Sequence, residues 1–392
     1  MDDAVLLLAI LGLFMVLFVF TVYLLYFILI YRRHGNVFNY LRAIETTQKF
    51  VAFLPSTSVI INTYNEAKII RRKIENISRL NYPQEKLEVL VIDDCSSDGT
   101  GDVAEKALTD FKINGKVLRN ALRLGLNKSM NSAFSSVSND VVCVTDSDAL
   151  LDENALKIAV AVLQSFEGAG GVTGKIVPVY SVSDVATVSE DSYRFYYDNC
   201  MLSESSLHSA FPGNGPFLVF NKWLVSSIPA DYGSTDANIA MKIVKSGRRF
   251  LYVPEALIYE PVPEKISQQR LQKVRRARRL IQVFLHNIDV LGNKRFGKFG
   301  TIIFPLKFLM HVICPPLVFL GLAFVFLGVA LSEVLALKLG LLLFFFLMLG
   351  IVLFCKRVGR FLVSFILHQA YLLMGFLLSY KKSVYWKIID RR

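Results

Sequence analysis

Residues 4–30, AVLLLAILGLFMVLFVFTVYLLYFILI, contain no charged side chain. A run this long and this apolar can cross a lipid bilayer as one helix, where its backbone polar groups must be satisfied internally. The rest of the chain must then be arranged around a membrane surface. A second apolar block begins near Phe308 and runs to Tyr380, in segments at about 308–331, 335–354 and 361–380. Between the two blocks the composition is that of an ordinary globular domain. The hydrophobic content of 53% and the 30 Phe are therefore concentrated towards the two ends.

The first apolar run lacks a basic stretch before it and a small-residue cleavage site, which predicts a retained anchor rather than a signal peptide. Asp2 and Asp3 precede it and Arg32 and Arg33 follow it. The positive-inside rule then predicts a multi-pass protein of the cell membrane with its middle domain cytoplasmic. If all three later segments crossed, the tail 381–392, with five Lys/Arg, would lie outside. The expectation is instead that one segment fails to cross. Segment 361–380, containing His368 and Gln369, is the first choice; 308–331, interrupted by Pro315-Pro316, is the second.

The net charge of +12 could suggest nucleic acid. However, residues 265–298 carry ten Lys/Arg against one acid, Asp289, immediately before the second apolar block. A juxtamembrane patch facing anionic headgroups or an anionic substrate is the more economical account, and no nucleic-acid partner is expected. The five cysteines are scattered, with no CxxC, which suits a reducing compartment and offers neither a zinc site nor a disulfide framework. His208, His286, His311 and His368 show no paired spacing and are assigned to neither metal nor catalysis.

The middle domain alternates apolar β-branched runs with amphipathic stretches. Strands are predicted at 57–62, 87–92, 116–118, 140–145 and 170–179, with helices at about 66–80, 99–110, 125–137 and 153–166. Such alternation implies an α/β fold built on a mostly parallel, Rossmann-like sheet covered on both faces. Ligands then bind outside the carboxyl ends of the strands. Asn65 and Glu66 follow the first strand, Asp93 and Asp94 end the second, and Asp146 and Asp148 end a later one. The last two are spaced to project from the same side of an extended chain. So many acids at one mouth repel unless they bind a cation and a ligand's donors, and Mg²⁺ or Mn²⁺ bridging to phosphate oxygens is the natural partner. Neither GxxxxGK[ST] nor GxGxxG is present, which removes the main support for ATPase and dinucleotide readings.

With INTYNEAKII, VIDDCSSDGT and TDSDA in this order and spacing, the chain resembles the family-2 glycosyltransferases, in particular their membrane-embedded members with a cytoplasmic GT-A domain. The resemblance covers roughly residues 55–280. It implies that Asp94, with Asp93 beside it, contacts the nucleoside of a sugar nucleotide, and that Tyr64, Asn65 and Glu66 line the same pocket. Asp148 would bind the divalent metal, with Asp146 towards the ribose or metal, and Lys128 would stand near the donor or simply on a solvated helix face. The stretch around Ser234-Thr235-Asp236 is similar to the family's TED motif, making Asp236 the candidate base; alone, it would read as an acid in the first turn of a helix capped by Ser234. QQRLQKVRRARR resembles the QxxRW motif, aligned on Gln272, Arg275 and Arg276. Arg275 would stabilise the leaving diphosphate, while Arg276 replaces the tryptophan that in relatives stacks on the acceptor sugar. FPGNGPFLVF, with Gly213, Asn214 and Gly215, would form an acceptor-side wall.

The implied layout is an anchor at 1–33, the GT-A domain at 55–263, basic interfacial helices at 264–305, membrane segments at 306–380 and a basic tail at 381–392. The expected activity is inverting transfer of a sugar from a UDP- or GDP-sugar to a membrane lipid or lipid-linked acceptor. A processive polysaccharide synthase is the alternative of the same class. A transporter with a nucleotide-binding regulatory domain has too few spans and no inverted hydropathy repeat.

Overall fold

The computed structural model describes residues 2–31, 34–49, 53–180, 185–261 and 266–380; the expected tail 381–392 lies outside them. The chain enters through α1 (Asp2–Tyr26) and a wide π turn, then α2 (His34–Lys49). The domain proper alternates β1 (Thr57–Thr63), α3 (Ala67–Ser78), β2 (Leu87–Asp93), α4 (Thr100–Asp110), β3 (Gly115–Arg119), α5 (Leu126–Ser136), β4 (Val141–Asp146), β5 (Leu150–Leu151), α6 (Ala155–Ser165) and β6 (Ala169–Val179). It continues with α7 (Val185–Leu207), β7 (Phe217–Asn221), α8 (Thr235–Lys245) and β8 (Arg249–Pro261), and leaves through α9 (Ile266–His286). The apolar end holds α10 (Phe304–Phe308), α11 (Cys314–Leu331), α12 (Leu335–Phe354) and α13 (Lys356–Leu378).

The strand order is β3-β2-β1-β4-β7-β6-β8-β5. The first four strands are mutually parallel, whereas β7 runs antiparallel to both β4 and β6, and β5 antiparallel to β8. The chain winds outward from β1 to β3 and then returns to place β4 on the other side of β1. That reversal opens a crevice at the carboxyl ends of β1 and β4, where α/β sheets bind ligands. Strand β7, reached through α7 and the 211–216 turn, departs from the parallel rule on both of its edges.

One sheet face, with Val59, Ile61, Val89 and Val91, packs on α2, α3, α4 and α6. Helix α3 buries Ile70, Ile74 and Ile77 at helical spacing, and with them Lys73. The other face, with Ile60, Leu90 and Val142, belongs to a core that runs through α5, α8 and α9 to Val22 and Tyr26 of α1 and to Phe304 and Val318. The α/β part and the apolar helices therefore share one core.

Among the described residues two helices, Asp3–Ile30 and Phe299–Leu331, are long and apolar enough to cross a bilayer. They pack through small residues: a Cβ on Gly12 would lie 2.6 Å from the Gly321 carbonyl oxygen, and one on Gly328 would lie 2.8 Å from Ala9 Cβ. Such close backbone approach is how helices associate in lipid. The second of these helices begins at Phe299, ahead of the expected boundary at 306. Pro315-Pro316 does not interrupt it. The pair falls in the first turn of α11, directly after a π turn at Leu309–Ile313, where missing amide donors are tolerated. Helix α13 lies along α9, with Gly375 against the backbone of Ala277 and Arg278.

Candidate active site

Parallel registry sets Thr63 beside Asp93 and Asn62 beside Asp146, so the ends of β1, β2 and β4 lie abreast. The turns leaving β1 and β2 are stitched together. Asn65, at φ 55°, receives the Ser97 amide on Oδ1 at 2.8 Å and donates its own amide to Ser96 Oγ at 2.9 Å. The Glu66 amide donates to Thr100 Oγ1 at 2.8 Å, and the Ala67 amide to Asp98 Oδ2 at 3.1 Å. Burial alone would raise the Asp98 carboxyl, but hydrogen bonds from Thr100 and Ala67 outweigh it and hold the group below its ordinary value.

Asp93 and Asp94 are both buried. Asp93 Oδ1 accepts the Ser96 amide at 3.0 Å. Asp94 accepts four donors of the chain: Asn120 Nδ2, the Leu124 and Gly125 amides, and Ser129 Oγ, at 2.7–3.0 Å. Its first task is thus to fold the 120–125 loop over the strand ends. That loop carries Arg123, whose guanidinium lies 3.7 Å from the centroid of the Tyr64 ring. Arg123 escaped the sequence reading; its only signal was a basic residue in the loop between a short strand and a helix.

The β4 end departs from expectation. The strand stops at Asp146, and Ser147-Asp148 form a turn into β5, so the two carboxylates do not project from one extended chain. Helix α3 bends this segment: Glu66 accepts the Ser147 hydroxyl, and Lys73 Nζ donates to Thr145 Oγ1 at 2.8 Å and to the Ala149 carbonyl. Burial pulls the Lys73 ammonium down to about 7, against opposing pulls from Cys143 and Asp146. Asp146 and Asp148 both remain partly exposed. Among the described residues no group of three or more His, Cys, Asp and Glu gathers as a metal cage. One or two carboxylates completed by phosphate oxygens and water is the usual Mg²⁺ or Mn²⁺ arrangement, so the residues present fit such an ion.

Asp236 lies across the crevice in the first turn of α8. Burial pushes its carboxyl up from the ordinary value, while the Ser234 hydroxyl, the Ala237 amide and Arg276 pull it down. Ser234, at the N-cap position, makes no side-chain cap bond to the helix amides. The preceding loop is fixed by Asn127 of α5, which donates to the carbonyls of Pro229, Tyr232 and Gly233 and accepts from Thr235 Oγ1. A Cβ on Gly215 would lie 4.0 Å from the Asp236 side chain. Of the three expected wall residues, Gly215 alone faces Asp236. Asn214 is spent on Thr173 and the Gly174 carbonyl, and Gly213 packs on Leu218 and Phe250.

Helix α9 sets its basic residues close to the acids of both β4 and α8. Gln272 is buried beside Arg275, whose guanidinium is lowered to about 10 by burial and by Arg276 and Arg279, with Asp146 opposing. Arg276 stands 3.6 Å from the buried Glu260, which Arg194 meets from the other side at 3.4 Å. The residue at the family's tryptophan position is thus partly committed to an ion pair with the end of β8. Lys128 is paired on the surface with Asp231 at 3.6 Å.

The sequence pattern of "Glycosyl transferase family 2" matches residues 58–220, and that of "Glycosyl transferase family group 2" matches residues 141–355, more than half of the chain. The chain belongs to the family-2 glycosyltransferases. This glycosyltransferase is 32% identical over 157 residues to a probable glycosyltransferase, YdaM, of Bacillus subtilis (strain 168), covering 40% of this chain and 37% of that protein. It is 25% identical over 249 residues to a poly-β-1,6-N-acetyl-D-glucosamine synthase of Staphylococcus aureus (strain COL), covering 62% and 59%. The alignments thus span less than two thirds of either relative. The fold is similar to that of the mannosyltransferase PcManGT from Pyrobaculum calidifontis, solved in complex with GDP-Man and Mn²⁺, with a TM-score of 0.72 at 23% identity over 95% of this chain and 98% of that one. The enzyme is therefore a glycosyltransferase with a GT-A-like α/β fold.

Proposed function

We propose that this enzyme is a multi-pass membrane glycosyltransferase that moves a sugar from a nucleoside diphosphate sugar to a lipid-linked acceptor at the cytoplasmic face, inverting the anomeric centre. One observation carries the reading. Helix α9 brings Arg275 into the field of Asp146 at the strand ends, and its neighbours Arg276 and Arg279 into the field of Asp236. A single basic helix thus joins the donor edge to the base.

In this account Tyr64 and Arg123 wall the nucleoside, supported by Asn65, Glu66, Asp93 and Asp94. A Mg²⁺ or Mn²⁺ ion held by Asp148 and Asp146 would neutralise the diphosphate. Asp236 takes the proton of the acceptor hydroxyl as its oxygen bonds to the anomeric carbon. The bond from that carbon to the diphosphate oxygen breaks, and its electron pair leaves with the nucleoside diphosphate. Arg275, already desolvated, meets the charge that grows there. GDP- and UDP-sugars are the candidate donors; PcManGT was solved with GDP-Man. Asp3–Ile30 and Phe299–Leu331 are the spans this reading relies on, and Arg32 and Arg33 favour a cytoplasmic domain. Because α13 lies along the interfacial helix α9, it remains our choice for the segment that does not cross.

The S. aureus relative is named as a polymer synthase, which keeps processive synthesis as the second reading. The Arg276–Glu260 pair favours transfer of one or a few sugars, since the residue at the stacking position is tied back to the protein. The test is release of nucleoside diphosphate from a panel of UDP-, GDP- and dTDP-sugars by purified protein with a membrane lipid extract. Release from one donor, dependent on the extract, with label in the lipid fraction is expected. No release from any donor would defeat the proposal, and label in a high-molecular-weight polysaccharide would favour the synthase.

A further inference from the structure

Lys73 has no part in the chemistry just described, yet it is fully buried on the apolar face of α3, between Ile70 and Ile74. A cation there is costly to desolvate, so its contacts have to be specific. They all fall on one short segment. Its Nζ donates to Thr145 Oγ1 at 2.8 Å, one residue before Asp146, and to the Ala149 carbonyl, one residue after Asp148. One helical turn on, Asn76 donates to the Leu151 carbonyl and accepts the Leu151 amide, both at 2.8 Å. Two turns back, Glu66 accepts the hydroxyl of Ser147, the residue between the two acids. Lys73 and Asn76 lie one turn apart on α3 and Glu66 is its N-cap residue, so this helix and its cap together hold residues 145, 147, 149 and 151.

We propose that Lys73, supported by Asn76, is a positioning residue for the Asp146–Asp148 turn, holding both ends of that turn so that its carboxylates are arranged for a divalent cation before one arrives. The inference rests on the proposed metal-dependent donor site and extends it to a residue that touches neither donor nor metal. The two acids, separated by Ser147, repel each other and Glu66 when no cation is bound, and a free turn would relax by opening. Lys73 opposes that by tying the mouth of the turn shut from beneath, through Thr145 on one side and Ala149 on the other. Groups that orient ligands from behind commonly matter to metal affinity by 10- to 100-fold.

The test measures Mn²⁺ binding to the purified full chain by the loss of free Mn²⁺ signal in electron paramagnetic resonance, with UDP and with GDP in parallel. Lys73→Met should raise the Mn²⁺ dissociation constant at least about tenfold, and saturating Mn²⁺ should restore turnover. A residue needed only for packing would lower the thermal midpoint and leave Mn²⁺ affinity alone. A dissociation constant within about twofold of wild type overturns the proposal. If Lys73→Met does not fold, Thr145→Val, which removes the hydroxyl beneath the turn at nearly constant shape, decides by the same criterion. Wild-type protein that binds no Mn²⁺ with either nucleotide would refute the metal-site reading and this proposal together, whereas wild-type and variant binding Mn²⁺ equally would refute this proposal alone.

Discussion

Lys307→Met should be among the most damaging single changes outside the proposed active-site crevice. Lys307 Nζ lies 2.7 Å from Glu204 Oε1, and both side chains are almost wholly enclosed. Glu204 also accepts the Tyr26 hydroxyl at 2.5 Å and the Phe211 amide at 3.0 Å, while Lys307 donates to the Phe211 carbonyl. Removing the ammonium takes away the only positive partner among these contacts and leaves a buried carboxylate with two neutral donors. Stranding one member of a buried pair costs about 3–5 kcal/mol. Glu204→Gln together with Lys307→Met removes the stranded charge, so the double variant should recover at least about 2 kcal/mol of the summed single losses. Equilibrium unfolding of all four proteins in detergent micelles closes the cycle. A cost below about 1 kcal/mol for Lys307→Met, or simple additivity, would refute the reasoning. Since Phe211 leads into the Gly213–Gly215 loop beside Asp236, the single variant should also lose transfer activity at temperatures where it stays folded.

Asp148→Ala should abolish transfer and weaken nucleotide binding in Mg²⁺ or Mn²⁺, with turnover near wild type in either metal counting against the assignment. The Asp236 carboxyl is raised by burial and must be ionised to act, so turnover should fall as pH drops through a value above the ordinary carboxylate pKa of about 3.9. A raised folded-state pKa also means that the charged form costs stability above that value, so Asp236→Asn should not lower the thermal midpoint at neutral pH. Gly12→Leu should separate α1 from α11 at a cost of about 1–3 kcal/mol, because its Cβ would meet the Gly321 carbonyl oxygen at 2.6 Å; Gly340→Leu, where nothing lies within 4 Å, should be silent in the same unfolding assay.

The crevice was legible because its determinants are local. β-Branched runs announced β1, β2 and β4, and the acids at their ends needed only a parallel sheet to converge. Helices α2 and α7 were not read. The residues of α2 were assigned to no element, and the place of that helix is decided by long-range contacts such as Tyr40 with the Tyr252 carbonyl and with Phe166. The antiparallel pairing of β7 likewise is not announced by any periodicity in Phe217–Asn221. Arg123 and Lys73 were missed for different reasons. Arg123 is placed by a loop folded around Asp94, which no spacing reveals. Lys73, by contrast, stood in plain view as a lysine on the apolar face of Ile70, Ile74 and Ile77.

The central claim is that donor binding and proton removal are performed by opposite sides of one crevice, with Asp236 needed for the second alone. Calorimetric titration of wild type and Asp236→Asn with UDP and GDP in Mn²⁺, alongside turnover of the same preparations, tests it most directly. The account predicts nucleotide affinity within about twofold and turnover lower by at least about a hundredfold, the low end for loss of a general base. Turnover near wild type, or a matching loss of affinity, would contradict it.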